Sequence, residues 1–121
     1  MLEEQQKASV NTILKDLEIN LVEFKEFLDV LEESFYDNIE LAKTAILNSQ
    51  NENAYNEMHS IRGSSSCLGL GKTSTRSKEL EYLFKDTIDE NSLVQLEELN
   101  EIFEKELYEK NEYIISHNNA D

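Results

Sequence analysis

The 121-residue sequence contains no proline and no tryptophan, only three glycines and a single cysteine. All three glycines lie between residues 63 and 71, so the rest of the chain lacks the two residues that most often interrupt helices. One cysteine, Cys67, excludes a disulfide within the chain and suits a reducing compartment. Because Leu, Glu, Lys, Ala and Gln are plentiful elsewhere, the composition predicts an all-α protein.

Long apolar runs and basic residues are also scarce. No run of about 18 apolar residues exists, and the N-terminus lacks the basic and then apolar layout of a signal peptide, so we expect a soluble, cytoplasmic protein. The 26 acidic residues against 11 basic ones give a formal net charge of −15. A surface this negative repels nucleic acids and anionic membranes, whereas it keeps a helical bundle soluble or steers it towards a basic patch on a partner.

Apolar periodicity predicts helices throughout one domain that spans residues 1–121. The first helix is short, from about residue 4 to 18. Asn20 followed by Glu23 forms a capping-box variant, so a second helix begins there and runs to about Asn48. Its apolar stripe is wide enough for a bundle core and comprises Leu21, Phe24, Phe27, Leu28, Leu31, Phe35, Ile39, Ala42, Ala45 and Ile46.

Three further helices are predicted after the polar segment 48–53. They span about 52–68, then 72–86, and then a last helix capped by Ser92. Gly69 and Gly71 supply the open backbone angles for the intervening reversal. The inward residues of the last two helices are Thr73, Ser77, Leu80, Leu83 and Phe84, and then Leu93, Leu96, Leu99, Phe103, Leu107 and Ile114.

Short connections make sequential helices run in opposite directions. We therefore expect an antiparallel up-down-up-down four-helix bundle with a short additional N-terminal helix. A bundle of this size needs no second copy, so the chain is expected to be a monomer.

The candidate functional residues are concentrated in the segment 54–71. On a helix, His59, Arg62, Gly63 and Ser66 share one polar face, and the apolar residues Ala54, Met58, Ile61 and Leu68 point the other way together with Ser65. A glycine inside a helix costs about 0.5–1 kcal/mol relative to alanine, so it indicates that bulk must be absent beside the imidazole. Arg62 presents a fork of donors suited to phosphoryl or carboxylate oxygens. The pattern predicts an accessible nucleophile next to an anion site.

These residues, from His59 through Ile61, Arg62, Gly63, Ser65 and Leu68 to Gly69, resemble the signature of histidine-containing phosphotransfer (HPt) domains. The family pattern has His, any residue, a hydrophobic residue, usually Lys, then Gly, small residues, Leu and a closing Gly. This sequence departs from it at Arg62, where lysine is commoner. The motif covers about a dozen residues, although the helices before and after it also suit the family.

The resemblance implies a phosphorelay carrier. His59 would accept a phosphoryl group from a receiver-domain aspartate to give a phosphohistidine, Arg62 would balance the phosphoryl charge, and Gly63 would leave room for it. Glu81 matches a family position that often carries a polar side chain near the histidine, and Ser66 is a further supporting candidate. The expected partners are a response-regulator receiver domain and a hybrid sensor histidine kinase. The chain would bind no cofactor or metal and have no kinase activity, since Mg²⁺ would come from the receiver.

Other interpretations are weaker. Ser66 to Thr73 nearly spells the phosphate-binding P-loop, but it follows a helix instead of a strand. Two histidines and one cysteine without close spacing disfavour a zinc site.

His117 lies in a polar tail and is expected to be a plain surface residue. Cys67 is expected to be a half-buried structural thiol. Tyr55 and Met58 are candidates for a docking surface around His59 or for helix-edge packing.

Two alternatives to the carrier stay open. One is an acidic helical module that docks a receiver domain without carrying phosphate. The other is an HPt domain excised from a larger hybrid sensor kinase.

Overall fold

A computed structural model describes residues 2–118 of the chain. It contains five helices: α1 (Leu2–Leu17), α2 (Leu21–Leu47), α3 (Asn51–Cys67), α4 (Gly71–Asp86) and α5 (Asn91–Asn118). No strand occurs between residues 2 and 118. The all-α prediction is therefore confirmed, and the five predicted helices agree with the observed ones to within a few residues. Within this part of the chain, no helix is both long and apolar enough to cross a membrane.

Four of the helices pack around one core. Helix α3 contacts α2 and α4, and α5 contacts the same two helices from the other side, while α1 packs on α5. The core is built around four fully buried phenylalanines, and two of them, Phe35 of α2 and Phe103 of α5, stack with ring centroids 3.7 Å apart. The largest other fully buried side chains are Val10, Leu28, Met58, Ile61, Leu70, Leu80, Leu96 and Leu99.

The start of α2 forms as predicted. The Asn20 side chain accepts a hydrogen bond from the backbone N–H of Glu23 at 2.9 Å, and the Glu23 carboxylate accepts one from the backbone N–H of Asn20 at 3.1 Å. This reciprocal pair satisfies two donors that the first turn of a helix leaves free.

Helix α4 begins with a cap that comes from another helix. The Glu106 carboxylate of α5 accepts hydrogen bonds from the backbone N–H groups of Lys72 and Thr73 and from the Thr73 hydroxyl, at 3.1, 2.6 and 2.8 Å. These N–H groups are the ones that a P-loop would offer to a phosphate. Because a carboxylate of the same chain already occupies them, nucleotide binding at this turn is disfavoured further.

Two predicted inward residues lie outside the core. Phe27 is 45% exposed and Leu83 38% exposed. The predicted apolar stripes of α2 and α4 were wider than the surface that their neighbouring helices cover. At Phe27 the excess lines an open groove between α2 and α3.

Two predicted helix boundaries were also wrong in detail. Ser92 does not cap α5; Asp89 does, because its carboxylate accepts from the N–H of Asn91 at 2.9 Å, while the Ser92 hydroxyl accepts from the N–H of Asp89 at 3.0 Å. Gly71 is the first residue of α4 and has no positive φ, whereas Gly69 adopts a φ of +81° and makes the turn. Only one of the two glycines therefore supplies an open backbone angle.

Candidate functional site

His59 lies on the outer face of α3, where sequence periodicity placed it. Its side chain is 57% exposed, while Ala54, Met58, Ile61 and Ser65 on the opposite side of the same helix are buried. The core therefore holds the back of the helix and leaves the imidazole accessible. Arg62, Gly63 and Ser66 share the outer face with it, as predicted: Arg62 is half-buried and the other two are exposed.

Glu81 of α4 reaches the histidine from across the helix pair. The His59 Nδ1 atom lies 2.7 Å from Glu81 Oε1. The two residues are 22 positions apart in the chain, and the reversal at Gly69 brings them together by placing α4 against α3. Glu81 is thus part of the site, although its role was only suggested by the family resemblance.

The carboxylate of Glu81 is buried, with a side chain only 4% exposed. Arg62 Nε approaches its second oxygen, Oε2, at 3.1 Å, which makes an ion pair. The angles of this contact are not those of a hydrogen bond, and Oε2 has no hydrogen-bond partner among the described residues. A buried carboxylate is costly unless charges or donors surround it, so His59 and Arg62 together stabilise Glu81 where it lies.

The same contacts bear on which ring nitrogen of His59 carries a proton. Nδ1 faces Glu81 at 2.7 Å and the Arg62 Nη2 atom at 3.2 Å. A guanidinium only donates, and an ionised carboxylate only accepts. The shorter contact is satisfied when Nδ1 carries a proton and donates it to Glu81, which leaves the lone pair of a neutral ring on Nε2. No described residue hydrogen-bonds to Nε2.

Gly63 leaves open space one turn beyond the histidine. A Cβ atom built on it would have no neighbour within 4 Å. Packing of the fold therefore does not require a glycine here, and the bare backbone instead keeps the outer face next to the ring free. Ser66 lies on this face too, but its side chain forms no hydrogen bond to the other site residues in the described chain.

Aromatic and cationic groups flank the ring on its N-terminal side. The Tyr55 ring lies 6.2 Å from the His59 ring at an interplanar angle of 18°. Lys85 of α4 places its Nζ atom 5.8 Å from the centre of the Tyr55 ring. Tyr55 is half-buried beside the ring. Met58 is fully buried, so of the two roles considered for it the packing role is confirmed and the docking role is excluded.

An apolar groove of about 370 Å³ opens between α2, the C-terminal half of α3 and the turn after α1. Its lining residues include Leu17, Ile19, Phe27, Val30, Cys67 and Leu68. Three of these, Leu17, Phe27 and Val30, are between 39% and 59% exposed. The groove accounts for the exposure of Phe27, because no helix of the described chain covers this flank.

Cys67 and His117 both differ from what the sequence predicted for them. Cys67 is exposed at the edge of the groove and is not the half-buried thiol predicted. His117 is more than a plain surface residue, since its ring stacks on Tyr113 at 3.9 Å and its Nδ1 lies 2.9 Å from the Tyr113 carbonyl oxygen. Neither lies with His59, Arg62 and Glu81.

Comparison of the chain with protein-family models, with curated proteins and with solved structures gives no match. Function is therefore inferred from the residues and their geometry. Among residues 2–118, no group of three or more His, Cys, Asp or Glu side chains is arranged to hold a metal ion. What the site offers is one exposed imidazole whose Nε2 has no hydrogen-bond partner among the described residues, a guanidinium beside it and open space along the helix.

Proposed function

We propose that the chain is a histidine phosphotransfer protein of a two-component phosphorelay. In this role His59 accepts a phosphoryl group from an aspartate of one receiver domain and passes it to another. The observation that carries the proposal is the arrangement of the His59 ring, whose Nδ1 contacts a buried carboxylate at 2.7 Å while the rest of the side chain is exposed. A neutral imidazole held in this way presents Nε2 as a nucleophile.

Each neighbour of the ring has a part in this reaction. Arg62 is close enough to the ring to interact with the oxygens of a phosphoryl group during transfer. Gly63 leaves the outer face open for that group and for the partner that delivers it. Glu81 orients the ring, because its side chain is fixed by burial in the helix pair. The site is half of an active centre, and the aspartate with its Mg²⁺ belongs to the receiver domain.

The rest of the molecule suits such a carrier. Helices α2 to α5 form the antiparallel up-down-up-down bundle in this proposal, with α1 as the additional helix, in a single monomeric domain. The apolar groove along α3 is where a receiver domain would bury apolar side chains, and hot spots of this kind dominate protein interfaces. The net charge of −15 disfavours nucleic acid and anionic membranes as partners, and the one cysteine fits the cytoplasm.

The test is transfer of labelled phosphate. A panel of receiver domains is phosphorylated with radioactive acetyl phosphate in the presence of Mg²⁺, freed of donor and mixed with the protein. We expect the protein to acquire a label that is stable in alkali and lost in acid. The His59→Gln variant should acquire none, while its helical circular dichroism and melting temperature stay near those of the wild type because the ring is largely exposed.

His117→Gln is the matched control, since it removes the other histidine of the chain. It should take up label like the wild type. Label that survives in the His59→Gln protein would contradict the proposal. Receiver binding without any label in the wild type would also contradict it and would favour the alternative of a docking module that carries no phosphate.

A further inference from the structure

Charge is distributed unevenly over the helices of this acidic molecule. Helices α2 and α5 each carry seven acidic residues and two lysines. Helix α4 carries four basic residues and three acidic ones, and it is the one helix between residues 2 and 118 in which basic residues outnumber acidic ones. The formal net charge of −15 therefore does not describe the surface beside the histidine helix α3, on which α4 packs.

One side of α4 faces the edge of α3 that carries the imidazole. Positions 74, 78, 81 and 85 recur at helical spacing and so form a single stripe along α4. Three of these positions contact residues of α3, through the pairs Ser74–Arg62, Glu81–His59 and Lys85–Tyr55. Lys78 occupies the remaining position, one turn before Glu81, and is exposed. Lys78 and Lys85 therefore lie on either side of Glu81, along the side of α4 that faces the candidate site.

Lys78 and Lys85 are exposed cations, and neither forms an ion pair with another residue between 2 and 118. Glu52 lines a shallow pocket together with Lys85 but does not pair with it. Glu81, which lies between the two lysines, is buried and is paired with Arg62. The charge of both lysines is therefore available to a partner that docks at the candidate site.

We propose that Lys78 and Lys85 attract and orient an acidic receiver domain and so set the rate at which it docks at His59. The inference rests on the proposed function, because the partner is the receiver domain that exchanges phosphate with the histidine. Proteins hold Mg²⁺ with carboxylates together with phosphate oxygens, so the surface around the reacting aspartate is rich in negative charge. Two lysine ammonium groups complement such a surface, and complementary charge mainly raises the association rate.

Distance decides between this local attraction and the repulsion expected from the net charge. At physiological salt, exposed charges more than about 8 Å apart are largely screened from each other. The acidic helices α2 and α5 lie one helix further away on either side of the α3–α4 edge, and the axes of packed helices are about 8–10 Å apart. Lys78 and Lys85 lie at the contact itself, so they are screened least.

The first test is the sign of the salt dependence of transfer. The protein is loaded on His59 with phosphoramidate, a small donor that needs no receiver domain, and is then mixed with a receiver domain of net negative charge. We expect the second-order rate constant to fall roughly threefold as salt rises from about 0.15 M to 1 M, because the screening length shortens from about 8 Å to 3 Å. A rate constant that stays constant or rises would overturn the inference, since repulsion between two acidic proteins predicts a rise.

Charge reversal then locates the attraction on the two lysines. At about 0.15 M salt, Lys78→Glu and Lys85→Glu should each lower the second-order rate constant roughly three- to tenfold. The plateau rate at saturating receiver should stay near that of the wild type, because the reacting groups are unchanged. Lys78→Arg and Lys85→Arg keep the charge and should transfer like the wild type. Lys105→Glu, at an exposed position of α5, makes the same change in net charge and should leave the rate constant unchanged.

The outcomes separate the inference from the function on which it rests. Equal rate constants for the reversals at positions 78, 85 and 105 would overturn the inference and leave the carrier function intact. A lower plateau rate with an unchanged second-order rate constant would also overturn it, because the lysines would then act on the chemical step. The salt dependence of the wild type does not depend on how any variant folds. Failure of the wild type to exchange label with any receiver domain would instead overturn the proposed function.

Discussion

Gly63 lowers the stability of α3 and leaves open space beside His59. An interior helix position normally favours alanine over glycine by about 0.5–1 kcal/mol, so a glycine there reduces stability. Nothing lies within 4 Å of the Cβ position, which shows that no packing contact compensates for this loss. The open site next to the imidazole is the feature that the glycine provides.

We therefore expect Gly63→Gln to slow phosphoryl transfer by roughly 10- to 100-fold, because the long side chain occupies space next to the ring and displaces the reacting groups. Its free energy of unfolding should be equal to or greater than that of the wild type, as measured by urea denaturation. Gly63→Ala is the control, since one methyl group fits the open space. Wild-type transfer rates in the Gln variant would show that the space is not needed.

The residues of the site differ in how far sequence could predict them. His59, Arg62 and Gly63 lie on one helix, so the 3.6-residue period by itself determines their common face. Glu81 comes from α4, and its 2.7 Å contact depends on how α4 is placed along α3, which no periodicity encodes. Cys67 was misplaced because burial at the edge of a helix depends on which neighbouring helix covers that edge.

At the scale of elements, the turn between α3 and α4 sets the register on which the His59–Glu81 contact depends. Gly69 adopts a φ of +81° there, and a Cβ atom on it would lie 2.5 Å from Ile13 Cδ1 and 2.9 Å from Ser9 Oγ. The turn is thus pressed against α1. Backbone conformation and lack of space both require glycine at this position.

Gly69→Ala should lower the free energy of unfolding by about 2 kcal/mol or more, since it adds a left-handed strain of roughly 1–2 kcal/mol to a steric conflict. Urea denaturation followed by circular dichroism measures the change. Gly71→Ala, two residues on, is the matched control: its Cβ would meet nothing within 4 Å, so we expect no loss of stability. Equal stability of the two variants would show that the turn does not require glycine at residue 69.

The start of α2 was predictable because its cap is local. The Asn20 and Glu23 pair could be recognised because both partners lie within four residues of each other. The cap on α4 could not, since Glu106 lies more than thirty residues further along the chain than the N–H groups it binds. The burial of Lys110 could not be predicted from the sequence either, because lysine is rarely a core residue. Its side chain is 3% exposed and donates to Gln6 Oε1 at 2.6 Å.

At the scale of the whole molecule, acidic groups outnumber basic ones, and two of them, Glu32 and Glu104, lie near Tyr36 of α2. The Tyr36 hydroxyl donates to Glu104 Oε1 at 3.0 Å. Partial burial, followed by this hydrogen bond and the negative charges of Glu104 and Glu32, raises the pKa of Tyr36 from 10.0 to about 12. The folded protein therefore holds the phenol proton more tightly than the unfolded chain does.

The stabilisation linked to this proton is fully present below pH 10 and is lost as pH rises towards 12, because the unfolded chain ionises first. We expect the stability of the wild type relative to Tyr36→Phe to fall as pH rises from 10 towards 12, as measured by denaturant unfolding at each pH. Tyr108→Phe, at a position that is 65% exposed, serves as the control. A difference between wild type and Tyr36→Phe that did not change with pH would contradict the assignment.

The helical class was readable from the whole sequence because almost nothing in it interrupts a helix. The absence of proline and the confinement of glycine to residues 63–71 allowed each helix to be placed to within a few residues. The open groove could not be foreseen, since α2 carries apolar residues on a wider arc than its neighbours cover. Phe27 has the spacing of a core residue for that reason and lies at the groove instead.

The central claim is that Nε2 of His59 receives the phosphoryl group while Nδ1 faces Glu81. The most direct measurement is a long-range proton–nitrogen correlation spectrum of nitrogen-15-labelled protein after phosphorylation by a receiver domain. We predict that phosphorus coupling appears on Nε2 of His59 alone. Phosphorus on Nδ1, on His117 or on no histidine at all would contradict the claim.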